Sequence, residues 1–129
     1  IYPWGNASLS GKLANLADST MSSEVPDKSI NDGFKFTAPV GFYPDGKSPY
    51  GALDMAGNVT EWVTDWYDSG YYTQNINNNP QGPPSGEYNL TRGGSWKNSS
   101  NGVRAAFRIP QSLAMTASVI GFRCVISQK

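Results

Sequence analysis

Histidine is absent from this chain, and cysteine occurs once, as Cys124. The first absence removes the commonest general base, the commonest zinc ligand and every Ser-His or Cys-His nucleophile pair. The second removes an internal disulfide and any cysteine-rich zinc site. Charge is sparse as well, ten basic side chains balancing ten acidic ones with no basic stripe. Nucleic acids and anionic membrane surfaces are therefore not expected partners. No run approaches the twenty or so apolar residues of a membrane span, and no leader-like segment opens the sequence. Ile1-Tyr-Pro-Trp-Gly5 reads instead like the middle of a packed protein, as expected of a fragment or processed product. In the apolar run Ile120 to Ile126, Cys124 is expected to be a small buried hydrophobe.

What the chain has is glycine, proline, asparagine and serine, spread along 129 residues that suffice for one core and one domain, residues 1–129. No window sustains a helical period. A short helix is conceivable over Gly11 to Ala17, where Leu13 and Leu16 lie three apart. Residues 18–33 read as polar loop, and Phe34 to Phe42 as an edge strand at best because Pro39 interrupts it. Tyr43-Pro-Asp-Gly-Lys47 carries turn chemistry. Strands are expected at Glu61 to Tyr67, Leu90 to Trp96, Val103 to Arg108 and Val119 to Ile126, with a long exposed loop over residues 73–86. The sum is an α+β or mostly β domain rich in irregular structure.

The densest stretch is Asp54 to Trp66. It gathers three carboxylates (Asp54, Glu61, Asp65), a Gly57-Asn58 pair and two tryptophans four apart. Oxygen donors around a glycine turn suit a hard cation such as calcium, with side chains of Asp54 and Glu61 and carbonyls of Gly57 and Val59 as ligands. The same spacing also fits a turn leading into a strand with solvated acids.

Three blocks in this order, Tyr2-Pro-Trp-Gly-Asn6, then Gly57-Asn-Val-Thr-Glu-Trp62 with Asp65-Trp-Tyr67, then Arg92-Gly-Gly-Ser-Trp96 with Val103-Arg-Ala-Ala-Phe-Arg108 and Gly121-Phe-Arg-Cys124, resemble the formylglycine-generating enzyme family, or sulfatase-modifying factors. Thr37-Ala-Pro-Val40 and Leu53-Asp-Met-Ala-Gly57 fit as well. The resemblance implies a C-type-lectin-like fold with a small twisted antiparallel sheet. It also implies that the chain is the C-terminal half of a domain about twice as long, so that a separate N-terminal half is a possible partner.

The resemblance further implies structural calcium at two places. One is Asp54, Gly57, Val59 and Glu61. The other is Asn15, Leu16, Asp32 and Phe34, with side-chain oxygens from Asn15 and Asp32 and carbonyls from the other two. The family's oxidases use two cysteines after the Gly-Gly-Ser block to hold copper(I) and engage a substrate thiol, a role for soft thiolates. Here those positions fall at Asn98 and Ser100, so the resemblance implies a kept fold and a lost oxidase.

The polar loop in their place, Trp96, Lys97, Asn98, Ser99, Ser100 and Asn101, followed by Arg104, offers either a surface turn or a contact surface for a protein, peptide or glycan. It also resembles the variable region of retroelement-diversified C-type-lectin-like proteins. Two other roles remain open: an enzyme whose catalytic residues lie in an N-terminal half, or a scaffold module. Iron-dependent relatives would need histidines, which this part lacks. The four Asn-X-Ser/Thr matches, at Asn6, Asn58, Asn89 and Asn98, are expected to be incidental. Arg92, Arg104, Arg108 and Arg123 are expected to be structural, pairing with acids such as Asp65. Tyr71-Tyr72 fits a loop anchor better than a groove. An extracytoplasmic bacterial setting follows from the family and from the calcium available there.

Overall fold

A computed structural model describes residues 1–21, 27–74, 78 and 80–126. Four strands form one sheet: β1 Thr60–Trp66, β2 Tyr88–Arg92, β3 Ile109–Ser112 and β4 Ile120–Gly121, in the order β3-β2-β1-β4. The β1–β2 and β2–β3 pairs are antiparallel, whereas β1 and β4 run parallel. The expected antiparallel sheet is therefore mixed at one edge. A register shift between Trp62 and Trp66 bends β1 where it crosses from one tryptophan to the next. Three short 3-10 segments, Pro44–Gly46, Tyr71–Gln74 and Ser100–Val103, are the only helical elements among the described residues.

Several expectations give way for local reasons. No helix forms over Gly11 to Ala17, because Ala14, Asn15, Leu16, Ala17 and Asp18 are all buried. Five consecutive buried residues need a chain enclosed on every side, which a surface helix with one apolar stripe cannot provide. Phe34 to Phe42 is not a strand either. The chain turns there, bringing the Phe34 and Phe42 rings edge to face at 4.9 Å. Val103 closes a 3-10 segment and the chain then bends and turns through residues 104–108, where Arg92 Nη2 donates to the Ala105 carbonyl at 2.8 Å and withdraws it from any ladder. The strand begins only at Ile109, with Pro110 on the outermost strand, where a missing N–H is tolerated. The final strand shrinks to Ile120–Gly121, and Cys124 is exposed rather than buried. Of the expected loop over residues 73–86, residues 75–77 and 79 lie outside the described set.

The core is small. Ala14, Leu16, Ala56 and Val103 form its buried cluster, with Tyr2, Trp4 and Leu9 packed against it. It joins the first, middle and last thirds of the chain, and so places residues 15–18, 32–34, 54–61 and 95–103 beside one another. No helix among the described residues is long and apolar enough to cross a membrane.

Candidate functional site

Two oxygen-rich loops meet on Asn15. Its carbonyl accepts from the Asn58 N–H at 2.9 Å, and its side-chain Nδ2 donates to the Phe36 carbonyl at 2.6 Å. Asn58, in a left-handed conformation, exchanges both side-chain hydrogen bonds with the Ala38 backbone. These bonds commit the Asn58 side chain to the backbone of the neighbouring loop.

The expected set Asn15, Leu16, Asp32 and Phe34 is brought together. Asp32 accepts from the Leu16 N–H at 2.7 Å and the Phe34 N–H at 3.0 Å. Asn15 Oδ1 is buried with no hydrogen-bond partner. Asp18, missed in the sequence, completes the cluster: its Oδ2 accepts from the Asp32 N–H at 2.6 Å, and its Oδ1 accepts from the N–H and hydroxyl of Thr20. The Asp-X-Thr spacing is its signal, repeated at Asp27-Lys-Ser29, where Asp27 takes the same two bonds from Ser29.

Asp18 is completely buried and Asp32 4% exposed, yet no basic side chain pairs with either among the described residues. Burial pushes the Asp32 carboxyl up from its ordinary value, against the pull of the Leu16 and Phe34 amides, and the neighbouring Asp18 charge adds to the rise. The Tyr43 phenol, which donates to the Asp32 carbonyl, is pushed up by burial and by the Asp32, Asp18 and Asp54 charges. A buried amide oxygen without a partner and two buried carboxylates without a cationic partner are the donor types that a hard cation with mixed side-chain and carbonyl ligands takes. No cluster of three or more His, Cys, Asp or Glu side chains could hold a metal among the described residues. Any ion here must therefore lean on amide and carbonyl oxygens, and these residues fit calcium.

The set Asp54, Gly57, Val59 and Glu61 lines one cavity, together with Arg123. Arg123 Nη2 donates to Glu61 Oε1 at 2.6 Å while its Nε engages Oε2, and the same guanidinium reaches the carbonyls of Leu53 and Asp54. Asp54 Oδ2 accepts from the Gly41 N–H at 2.7 Å. An ion at this second place would have to share Glu61 with Arg123. The arginine pairs with Glu61, not with Asp65. Replacing Arg123 with Ala should cost about 1–2 kcal/mol, because the pair is partly exposed and the substitution also removes both hydrogen bonds to the carbonyls. Thermal melts of Arg123→Ala, Glu61→Gln and the double variant should give a coupling of about 1 kcal/mol; strict additivity would show that the pair contributes nothing.

In the polar loop, Trp96 is buried, and its ring meets Phe36 edge to face at 5.1 Å. It therefore presents no free face to a ligand. Asn98 Oδ1 accepts from both the N–H and the hydroxyl of Ser95 at 2.8 Å, which locks the turn. Ser99 and Ser100 are half-buried at the entry to the 3-10 segment Ser100–Val103. Lys97, Asn101 and Arg104 remain exposed, Arg104 Nε donating to the Asn101 carbonyl at 3.0 Å.

A family model described as the sulfatase-modifying factor enzyme 1-like domain matches residues 1–128. Formylglycine-generating enzyme of Bos taurus is 34% identical over 127 residues, 96% of this chain but 33% of that protein. Serine/threonine-protein kinase pkn1 of Chlamydia caviae is 43% identical over 104 residues, 78% of this chain and 16% of that protein. Among solved structures, PvdO from Pseudomonas aeruginosa superposes with a TM-score of 0.69 at 26% identity, covering 95% of this chain and 42% of that one. The chain thus spans a third or less of these two relatives and under half of the solved neighbour.

Proposed function

Because the chain belongs to the sulfatase-modifying factor enzyme 1-like family, we propose that it is a calcium-stabilised member that has exchanged the cysteine oxidase chemistry for ligand binding. The observation that carries this reading is Asn98. It stands where the family resemblance places the first cysteine, and its side chain closes the Ser95 turn instead of facing a substrate. Ser100, at the second position, opens a 3-10 segment. Amide and hydroxyl oxygens are hard donors and do not hold copper(I) or exchange with a thiol. The remaining cysteine, Cys124, lies in the exposed C-terminal segment.

Calcium is assigned first to Asn15, Leu16, Asp32 and Phe34, with Asp18 alongside, and second to the loop of Asp54, Gly57, Val59 and Glu61. When bound it supplies positive charge to buried oxygens and no reaction step. The exposed Lys97, Asn101 and Arg104 give the ligand surface, suited to a protein, peptide or glycan. An extracytoplasmic setting accords with sites of the modest affinity typical of extracellular calcium modules.

The chain should take up no stoichiometric copper(I) in competition with a chelator, and should convert no cysteine peptide to an aldehyde under oxygen. A thiolate-to-copper absorption band at one equivalent, or a formylglycine product by mass spectrometry, would overturn the proposal. A second reading rests on the relatives' names, which are those of enzymes, and on the share of their length that this chain spans. In that reading the reacting groups lie in the part of a longer protein that precedes this one, and activity appears only when both are present.

A further inference from the structure

A separate cleft, lined by no residue of the two oxygen-rich loops or of the polar loop, adjoins the end of β1 at Asp65 and Trp66. It encloses about 130 Å³ and is bordered by Asp65, Asp68, Tyr71, Tyr72, Arg92 and Arg108. Two of these residues only build the walls. Tyr71 is buried, and its hydroxyl accepts from the Gly82 N–H at 3.1 Å, anchoring the loop that forms one rim. Arg92 donates to the carbonyls of Ala105 and Ala106 and so fixes the backbone that leads to Arg108.

Arg108 is different. Its guanidinium lies 4.4 Å from the Tyr72 ring centroid and 5.8 Å from that of Tyr67, and it has no hydrogen-bond acceptor among the described residues. Stacking holds the planar fork in place while leaving its N–H groups free. Asp65, half-buried on the same cleft, forms no ion pair among the described residues, although two arginines line the space with it. Asp68 commits one oxygen to the Gly70 N–H at 2.7 Å. Positive and negative groups thus share one small cavity without neutralising each other.

We propose that this cleft binds a compact zwitterion of the α-amino acid class, its carboxylate on the Arg108 fork and its ammonium on Asp65. A free guanidinium fork matches a carboxylate bidentately. A half-buried carboxylate without a partner is best satisfied by an ammonium donor. Two acids against two arginines leave the cleft without net charge, which disfavours phosphates and other polyanions. The volume admits a ligand of roughly six to ten heavy atoms, well below the size of ordinary drug-like sites. Trp66 and Leu90, also on the lining, give a small apolar side chain something to rest on.

The test is a two-dimensional amide NMR titration of the 129-residue chain with glycine and L-alanine, with acetate, methylammonium and N-acetylglycine as single-charge probes. The expected result is saturable shifts confined to residues 65–72, 80–92 and 108, with each single-charge probe weaker by about tenfold or more. Arg108→Lys should weaken L-alanine by about tenfold, since an ammonium cannot reproduce the fork. Asp65→Asn should weaken L-alanine while leaving acetate unchanged, and serves as the second variant should Arg108→Lys disturb the fold. The proposal is overturned by an absence of saturation up to about 100 mM, by an Arg108→Lys variant that binds as the parent does, or by acetate or N-acetylglycine binding as tightly as L-alanine. The last outcome would mark a simple carboxylate site for a peptide terminus.

Discussion

Gly57→Ala should destabilise the domain by about 3 kcal/mol or more and lower its melting temperature by roughly 10 °C. Two causes add. Gly57 has φ +78°, where an L side chain costs on the order of 1–2 kcal/mol. A methyl group there would also sit 2.2 Å from the Asn15 carbonyl oxygen, a backbone atom that cannot swing aside. Moving it would break the hydrogen bond from the Asn58 N–H and spread the two oxygen-rich loops apart. Gly51→Ala separates the causes. Its φ is +81°, yet a methyl there meets nothing within 4 Å. It should lose only the backbone share, about 1 kcal/mol. Equal losses in the two variants would mean that the close approach of the loops contributes nothing.

Removal of calcium should produce the other large effect. If the Asn15 and Asp32 cluster holds the ion, adding it at about a hundred times its dissociation constant stabilises the fold by about 2.7 kcal/mol, or roughly 10 °C in melting temperature. Excess chelator should abolish that gain, and Asn15→Leu or Asp32→Asn should remove most of it while tolerating the metal-free condition. An unchanged melting temperature with chelator would refute structural calcium outright.

The pH dependence carries an independent sign. In the metal-free fold the Asp32 carboxyl is raised above its unfolded value. Its contribution is therefore fully present below the ordinary carboxylate range and is lost as pH rises through the raised value. Without calcium, the parent should gain stability relative to Asp32→Asn on acidification from neutral down to the ordinary carboxylate range. With calcium the slope should reverse, because the metal binds the deprotonated carboxylate and competes with the proton.

The parts of this fold that sequence discloses are those whose signal is local. β1, expected at Glu61 to Tyr67, lies at Thr60–Trp66, because β-branched and aromatic residues alternate there. The family motifs place the whole chain in its fold, and Asp32 does reach the Leu16 and Phe34 amides. What sequence conceals is the work of partners far away. Val103 to Arg108 alternates like a strand, but Arg92, more than ten residues earlier, claims its carbonyls. β2 ends at Arg92 instead of running on to Trp96 because Gly93 and Gly94 both turn left-handed. Asp18 reads in sequence as the start of a polar loop, and only tertiary packing reveals it as a completely buried acid beside Asp32. The apparent recognition tryptophan, Trp96, is drawn inward by Phe36. Arg108, expected to pair with an acid, instead lies on tyrosine rings, a preference that charge counting cannot register.

The parallel pairing of β1 with β4 also sets a timetable. Glu61 and Arg123 are 62 residues apart, and closing a loop of that length costs about 3–4 kcal/mol of chain entropy before any contact repays it. During synthesis at about 5–20 residues per second, β1 leaves the ribosome roughly 3–12 s ahead of its parallel neighbour. Throughout that interval its outer edge at Thr60 and Glu61 has no strand to pair with, and an unpaired edge recruits whatever strand arrives first. The chain is therefore most exposed to misassembly before β4 has been made, and a chaperone that shields this edge would raise folding yield more than one acting after β4 has paired.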